Sequence, residues 1–465
     1  MDRLDIARLY KDYKKFESKT VSICGWVKTT RNSKNILFIE INDGSTLKNV
    51  QLVAINGETK DFFNILKLNV GSAVRVSGVL VLTNKESQPF EIKLSEVIVE
   101  GESRSDYPLQ KKHHTLEYLR TIAHLRPRTN TYGAVFRVRS AAAFAIHTFF
   151  NNEGFFYVHT PILTGSDCEG AGEMFTVTNL DLSNVPKLEE SDEVDFKKDF
   201  FGKHTSLTVS GQLEAECMAM ALGKVYTFGP TFRAEKSYTG RHAAEFWMVE
   251  PEMAFFDLKD NMQNAERMIK FVTSYILEHC KNEIEFFDKF YENGLLEKLD
   301  NLVNSSFEVI TYTDAISLLE KSNKKFEYTV SWGVDLQTEH ERYLTEEIFK
   351  KPLFVINYPK EIKSFYMKAN KDGKTVAAMD LLAPGIGEII GGSERESNYE
   401  NLVAKMQELN LKESDYWWYL DLRKYGSATH SGYGLGFERL IMYLTGISNI
   451  RDVLPFPRTT GNLDF

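Results

Sequence analysis

The sequence predicts an α+β protein in which a small β-barrel precedes a larger domain of mixed strands and helices. Three observations carry this reading. The first hundred residues hold short apolar runs separated by turn signals. Thr231 to Glu250 reads as two apolar, aromatic-rich strands joined by a polar loop that contains Gly240 and the cations Lys236, Arg241 and His242. Gly432 to Ile441 reads as a Gly-rich strand running into an apolar helix, with Arg439 near the junction.

Bulk properties bound the answer before any motif does. A chain of 465 residues holds two or three domains and a large buried core. Its 43% hydrophobic and 26% charged content is that of an ordinary soluble globular protein. A net charge of −9 argues against non-specific nucleic-acid binding by the chain as a whole, while leaving room for a local basic face. Cys24, Cys168, Cys217 and Cys280 lie far apart with no CxxC pair, which speaks against a zinc site or a disulfide framework and for a reducing cytoplasm. Met1 to Asp5 lacks the features of a signal peptide, and no apolar run approaches a membrane span.

In chain order, residues 1 to about 105 contain strand-like runs at Val21–Val27, Ile36–Ile41, Val50–Val53, Ala73–Leu80 and Glu91–Leu94. Asn42-Asp43-Gly44-Ser45 supplies a turn, and Asn84 to Pro89 a second break. Five short strands in this length fit a small barrel, of which the oligonucleotide-binding OB-fold is one type among several. Residues 106–133 form a Pro-containing, basic linker (Pro108, Lys111, Lys112, Arg126-Pro127-Arg128) that fits either a hinge on an RNA backbone or an ordinary connection.

The second domain, 134–465, opens with a helical pattern from Phe136 to Asn152, ended by Gly154 and followed by a strand-like Phe155–Leu163 containing Pro161. Residues 179–203 are acidic and polar and read as an exposed insertion. Ser210 to Glu216 leads into a helical stretch, and 258 to about 350 reads as two or three helices without a recognisable motif. Met379–Leu382 and Gly387–Arg395 read as strands, the second ending in Gly391-Gly392-Ser393-Glu394-Arg395.

Thr231–Glu250 and Gly432–Ile441 together closely resemble motifs 2 and 3 of the class II aminoacyl-tRNA synthetases, in the subclass shared by the asparaginyl, aspartyl and lysyl enzymes. The helix–Gly–strand–Pro161 stretch is similar to motif 1, which in the family builds a homodimer interface. Gly25-Trp26-Val27, Arg31 and Phe38 resemble the family's anticodon-binding OB domain. The resemblance thus implies an OB-fold barrel followed by a catalytic domain built on an antiparallel sheet with flanking helices. It also implies the reaction: ATP-dependent activation of an amino-acid carboxylate, with magnesium, and transfer to tRNA in the cytoplasm. Such a site needs no nucleophilic triad, because the substrates bring their own nucleophiles. The protein supplies positioning and charge neutralisation.

Carried over residue by residue, Arg233 would clamp the α-phosphate and the substrate carboxylate, and Glu235 would accept from the adenine amino group. Arg241 and His242 would reach the terminal phosphates. Phe246 and Arg439 would sandwich the adenine, an arrangement that a purine's π-face favours. Glu388 aligns with a magnesium-binding carboxylate, with Asp380 as its partner or as an ordinary strand-end residue; hard Mg²⁺ takes carboxylate and phosphate oxygens. Glu169, in Glu169-Gly170-Ala171, would meet the amino acid's ammonium group, and Gln212 would orient it. Phe38 would stack on an anticodon base, or sit in the barrel core. Gln51 would hydrogen-bond a base, or be an exposed strand residue, and Arg31 would lie beside them.

For the amino acid itself, the lysine that aspartyl enzymes use to pair with the substrate side chain is replaced here by Ala215, and their aspartate after the motif 2 strand by Glu250. Arg395 could donate to a carboxamide oxygen while Glu250 accepts from its nitrogen. The resemblance therefore implies asparagine and tRNA(Asn) as substrates. An aspartate-using enzyme, discriminating or not, is the alternative within the class. A paralogue that binds RNA or makes a small amide is the alternative outside it.

Overall fold

A computed structural model describes residues 3–168, 173–189 and 191–465. The chain divides into two compact units, Met1–Phe136 and Arg137–Phe465.

The first unit is built on a closed barrel of β1 (Thr20–Ser33), β2 (Ile36–Asn42), β3 (Val50–Ile55), β4 (Ala73–Lys85) and β5 (Gln88–Gly101), in the order β1-β2-β3-β5-β4. Residue alternation explains it. Along β2, Leu37, Ile39 and Ile41 are buried, while Ile36, Phe38 and Glu40 point outward and are only half-buried. Ile6 and Leu9 of an N-terminal helix, Ile6–Asp12, join that core.

The second unit is organised by an eight-stranded sheet in the order β12-β13-β14-β15-β16-β11-β10-β6. Its strands are β6 (Phe156–Tyr157), β10 (Lys224–Phe232), β11 (Glu245–Ala254), β12 (Glu308–Thr311), β13 (Leu353–Pro359), β14 (Thr375–Ala383), β15 (Gly387–Glu394) and β16 (His430–Gly436). β7 (Leu163–Thr164), β8 (Thr176–Val177) and β9 (Thr205–Leu207) form a separate small sheet. From β13 to β10 every neighbouring pair is antiparallel, whereas β12–β13 and β6–β10 are parallel. β14, which sits well inside the sheet, is buried at every position, and its mostly apolar sequence is interrupted by the buried Asp380.

Several elements differ from the sequence reading: β1 runs on to Ser33 and β5 to Gly101, and 258–350, read as two or three helices, holds five α-helices and the strand β12. The first helix starts at Asn130 rather than Phe136, because the Thr129 hydroxyl caps it by accepting from the Tyr132 N–H at 3.3 Å. The strand expected over Phe155–Leu163 is broken into β6 and β7. Pro161 has no N–H to give a ladder, so a continuous strand cannot pass through it.

Candidate active site

A cavity opens beside β10, β11 and β16, and its lining collects residues far apart in sequence. Arg233 directly follows β10, and Phe246 and Met248 lie on β11. Glu235, Arg241 and His242 come from the loop between them, and Glu388 from β15. Arg439 stands in the first turn of the helix Phe437–Thr445, which starts where Gly436 ends β16. All seven residues assigned from sequence to nucleotide binding therefore line one cavity.

Backbone pairing fixes this convergence. Phe232 pairs with Glu245 and Thr231 with Phe246, so the loop starts and ends at the same level of the sheet. The Arg233 N–H donates to the Ala244 carbonyl at 3.0 Å, closing the loop's base. Met248 pairs with Gly436, which sets the helix carrying Arg439 against the same end of β11. Below it, the buried Glu438 accepts from the Trp247 N–H at 2.9 Å and from Arg139 Nη2 at 2.7 Å, anchoring the first turn.

The electrostatics are those of an anion site. The Arg233 guanidinium lies 5.5 Å from the centre of the Phe246 ring. Burial, and then the nearby charge of Arg439, hold the Arg241 guanidinium below its usual range. Like cations crowded in one cavity repel each other, and an incoming polyanion relieves that cost. His242 Nδ1 faces the hydroxyls of Ser237 (3.0 Å) and Thr239 (2.5 Å).

On the floor of the cavity, Arg439 Nη1 donates to the Glu388 carbonyl at 2.8 Å and stands 3.7 Å from Glu388 Oε2. Glu388 and Asp380 converge over Gly391. A Cβ there would come within 2.9 Å of Glu388 Oε1 and 3.4 Å of Asp380 Oδ1, so glycine is what lets both carboxylates approach. Asp380 Oδ2 accepts from Lys363 at 2.8 Å. Among the described residues no group of three or more His, Cys, Asp or Glu side chains is arranged to hold a metal. A pair of carboxylates with an all-oxygen donor set still suits Mg²⁺, which takes one or two carboxylates and fills its shell from phosphate and water.

A second cluster lies buried beside this one. Gln212 and Glu216 are one turn apart on the helix Gln212–Leu222 and face the same side. Gln212 Nε2 donates to Glu216 Oε1 at 3.1 Å. Glu216 also accepts from Arg423 Nη2 and Tyr419 OH at 2.9 Å each, and His430 Nε2 lies 2.9 Å away. Burial alone would push the Glu216 carboxyl up. Arg423, His430 and Arg395 together hold it well below the usual carboxylate range.

Sequence reasoning set Arg395 and Glu250 opposite each other, and the structure gives each its own partners. Arg395 is paired in bidentate fashion with Glu252, Nε to Oε2 at 3.2 Å, and its Nη1 donates to Ser393 Oγ at 2.8 Å. Glu250 accepts from the Ser210 hydroxyl, from the Gly211 N–H at 3.0 Å and from Thr227 Oγ1 at 3.2 Å. Both acids lie on one face of β11, because residues two apart in a strand share a face, and Glu252 is the one that reaches the guanidinium. The motif pattern gave Glu252 no role. Ala215 is fully buried among Val158, Ala219 and Val225, so no long cation fits there without displacing that cluster. Glu169 lies outside the described residues.

In the barrel, Phe38 is excluded from the core and held on the outer face, with the Arg31 guanidinium 4.9 Å from its ring centre. Gln51, on the adjoining strand, donates to Glu91 Oε2 at 3.2 Å. From sequence Glu91 is only a loosely aligned third candidate beside Phe38 and Gln51 and is given no role there. Its pairing with Gln51 across the parallel β3–β5 edge is a tertiary fact that no local pattern carries.

A closed five-stranded barrel, followed by a mixed, mainly antiparallel sheet whose strands carry an arginine-rich nucleotide-type cavity, defines the architecture of a class II synthetase. Comparison with known proteins agrees. Residues 115–460 match the family model for class II tRNA synthetases (D, K and N), and residues 21–100 match the OB-fold nucleic acid binding domain of the tRNA anticodon type. The chain belongs to the class II tRNA synthetase family of the D, K and N type. It is 62% identical over 460 residues to an asparagine–tRNA ligase of Clostridium perfringens (strain SM101), covering 99% of each chain. It is 60% identical over 465 residues to one of Clostridium botulinum (strain Langeland), covering 100% of each. Among solved structures, asparaginyl-tRNA synthetase from Pyrococcus horikoshii complexed with asparaginyl-adenylate superposes with a TM-score of 0.87 at 33% identity, covering 100% of this chain and 99% of that one.

Proposed function

We propose that this chain activates asparagine with ATP and transfers it to tRNA(Asn). Asparagine is favoured over aspartate because full-length relatives at 60–62% identity are asparagine–tRNA ligases. The single structural observation that supports the chemistry is the one cavity lined by Arg233, Arg241, His242, Arg439 and the Phe246 ring. Three guanidinium groups and an aromatic face suit a nucleoside triphosphate.

In this reading Arg233 holds the α-phosphate and the asparagine carboxylate in line for attack. Glu235 accepts from the adenine amino group, Phe246 and Arg439 hold the ring's two faces, and Arg241 and His242 take the terminal phosphates. Glu388 and Asp380 would hold Mg²⁺, which when bound neutralises charge on the phosphates. The amino acid is oriented by Gln212 and Glu169. Its carboxamide oxygen accepts from Arg395, whose charge is already balanced by Glu252. Glu250 takes the carboxamide N–H: a carboxylate accepts about four hydrogen bonds, and three are in use. The barrel, 1–105, reads the anticodon through Phe38, Gln51 and Arg31, with 106–133 as the connection. A homodimer in the cytoplasm completes the reading, and no described helix is long and apolar enough to cross a membrane.

The test is ATP–pyrophosphate exchange with each of the twenty amino acids, for the wild type and for Arg233→Ala. Exchange with asparagine above all others is expected, falling about a hundredfold or more in the variant, since one charge contact to a transition state is worth roughly 3 kcal/mol. Preference for aspartate, or full exchange by a folded Arg233→Ala protein, would overturn it.

A further inference from the structure

The segment Thr338–Ile348, inside a region whose sequence showed no motif, touches both sides of the nucleotide cavity. It begins as a short helix, Thr338–Arg342, and continues as a π-helix, Tyr343–Ile348, a geometry that recurs at functional sites. At its start, Thr338 Oγ1 accepts from Arg241 Nη1 at 2.8 Å. One turn on, Glu341 Oε2 accepts from the backbone N–H of Glu388 at 3.1 Å. Further along, Glu346 Oε1 accepts from the Gly385 N–H at 2.8 Å, while Arg342 Nε steadies Glu346 at 2.7 Å. The fit is close: a Cβ on Gly387 would lie 2.2 Å from Glu341 Oε2.

One short element therefore holds a loop cation and the strand that carries a cavity-floor carboxylate. Arg241 sits on a long, flexible side chain in a loop, and its guanidinium loses rotamer freedom when it binds phosphate. A hydroxyl that already holds it part-way to its working place removes some of that cost. We propose that Thr338 is a positioning residue for Arg241, and that Thr338–Glu346 acts as a brace that sets Arg241 relative to Glu388 before ATP arrives. The inference rests on the nucleotide reading of the cavity.

Thr338→Val is nearly isosteric and removes only the acceptor. It should raise the KM for ATP in exchange by about three- to tenfold, the scale of one ordinary hydrogen bond, with kcat and the KM for asparagine little changed. Thr338→Ser should restore the wild-type value. The decisive arm is the double variant: in an Arg241→Ala background, Thr338→Val should add nothing further to the KM for ATP, because the group it positions is gone. An effect of the same size in both backgrounds would mean a general structural role and would overturn the proposal. So would an unchanged KM in Thr338→Val while Arg241→Ala raises it, which leaves the nucleotide reading standing. If Arg241→Ala itself leaves the KM for ATP unchanged, the assignment of Arg241 fails and the positioning role falls with it. Glu341→Gln keeps an acceptor for the Glu388 N–H and Glu341→Leu does not. Only the second should reproduce the loss.

Discussion

At the scale of single residues, the densest chemistry lies around Glu216, which substrate motifs do not single out. Its carboxylate is fully buried and accepts from Gln212, Tyr419 and Arg423, with His430 and Arg395 close by. Removing one member of such a cluster leaves the others buried and uncompensated. Glu216→Gln should therefore cost about 3–5 kcal/mol at neutral pH, measured by urea unfolding. The pH dependence has a definite sign. The folded-state pKa is depressed, so the carboxylate's contribution is complete above the unfolded value of about 4.3 and is lost as pH falls below it. The gap between wild type and Glu216→Gln should narrow below about pH 4. A gap that stays constant from pH 7 to pH 3 would falsify the assigned charge state.

At the scale of elements, legibility followed how local the cause was. β14 and β16 were readable because a short, mostly apolar strand around Asp380 and a Gly-rich strand entering an apolar helix are patterns within ten residues. The seven cavity residues were readable because three short motifs carry them: the β10–β11 hairpin, the Gly-rich strand β15 with Glu388, and the turn after β16 with Arg439. Glu252 and Thr338 were not. Each acquires its partner from a strand or loop distant in sequence, Arg395 and Arg241 respectively. The helix Leu258–His279 shows the local case in energetic form. Asp257 accepts from the Asp260 N–H at 2.9 Å, and Asp260 accepts in return from the Asp257 N–H at 3.3 Å, which together make a capping box. Asp257→Ala should cost about 1 kcal/mol in thermal or urea unfolding with exchange kinetics unchanged, since the cap touches no cavity residue. A loss of exchange without a loss of stability would show that the cap does more than hold the helix.

At the scale of the molecule, the two units build their cores separately. The barrel's interior, from Ile6 to Leu94, is made by its own strands and N-terminal segment. The second unit has its own clusters around Tyr312–Leu382 and around Cys168–Leu420. A fragment of residues 107–465 should therefore fold and retain ATP–pyrophosphate exchange with asparagine, because every described cavity residue belongs to the second unit. Aminoacylation of tRNA should fall much further than exchange, since the fragment lacks the barrel proposed to read the anticodon. Phe38 gives the same question a finer probe in the full chain. Its ring stands on the outer face of the barrel beside Arg31, so Phe38→Ala removes no core packing. It should cost the barrel no more than about 1 kcal/mol, the scale of strand propensity and one cross-strand pair at a half-buried position. It should also weaken tRNA binding by about 1–3 kcal/mol, the value of one stacked base. Filter binding at fixed salt with tRNA(Asn), and with the same tRNA altered only in its anticodon, separates the outcomes. If Phe38 stacks on an anticodon base, the variant loses most of the wild type's discrimination between the two RNAs. An equal loss toward both would make Phe38 and Arg31 a backbone contact and move anticodon reading elsewhere on the barrel.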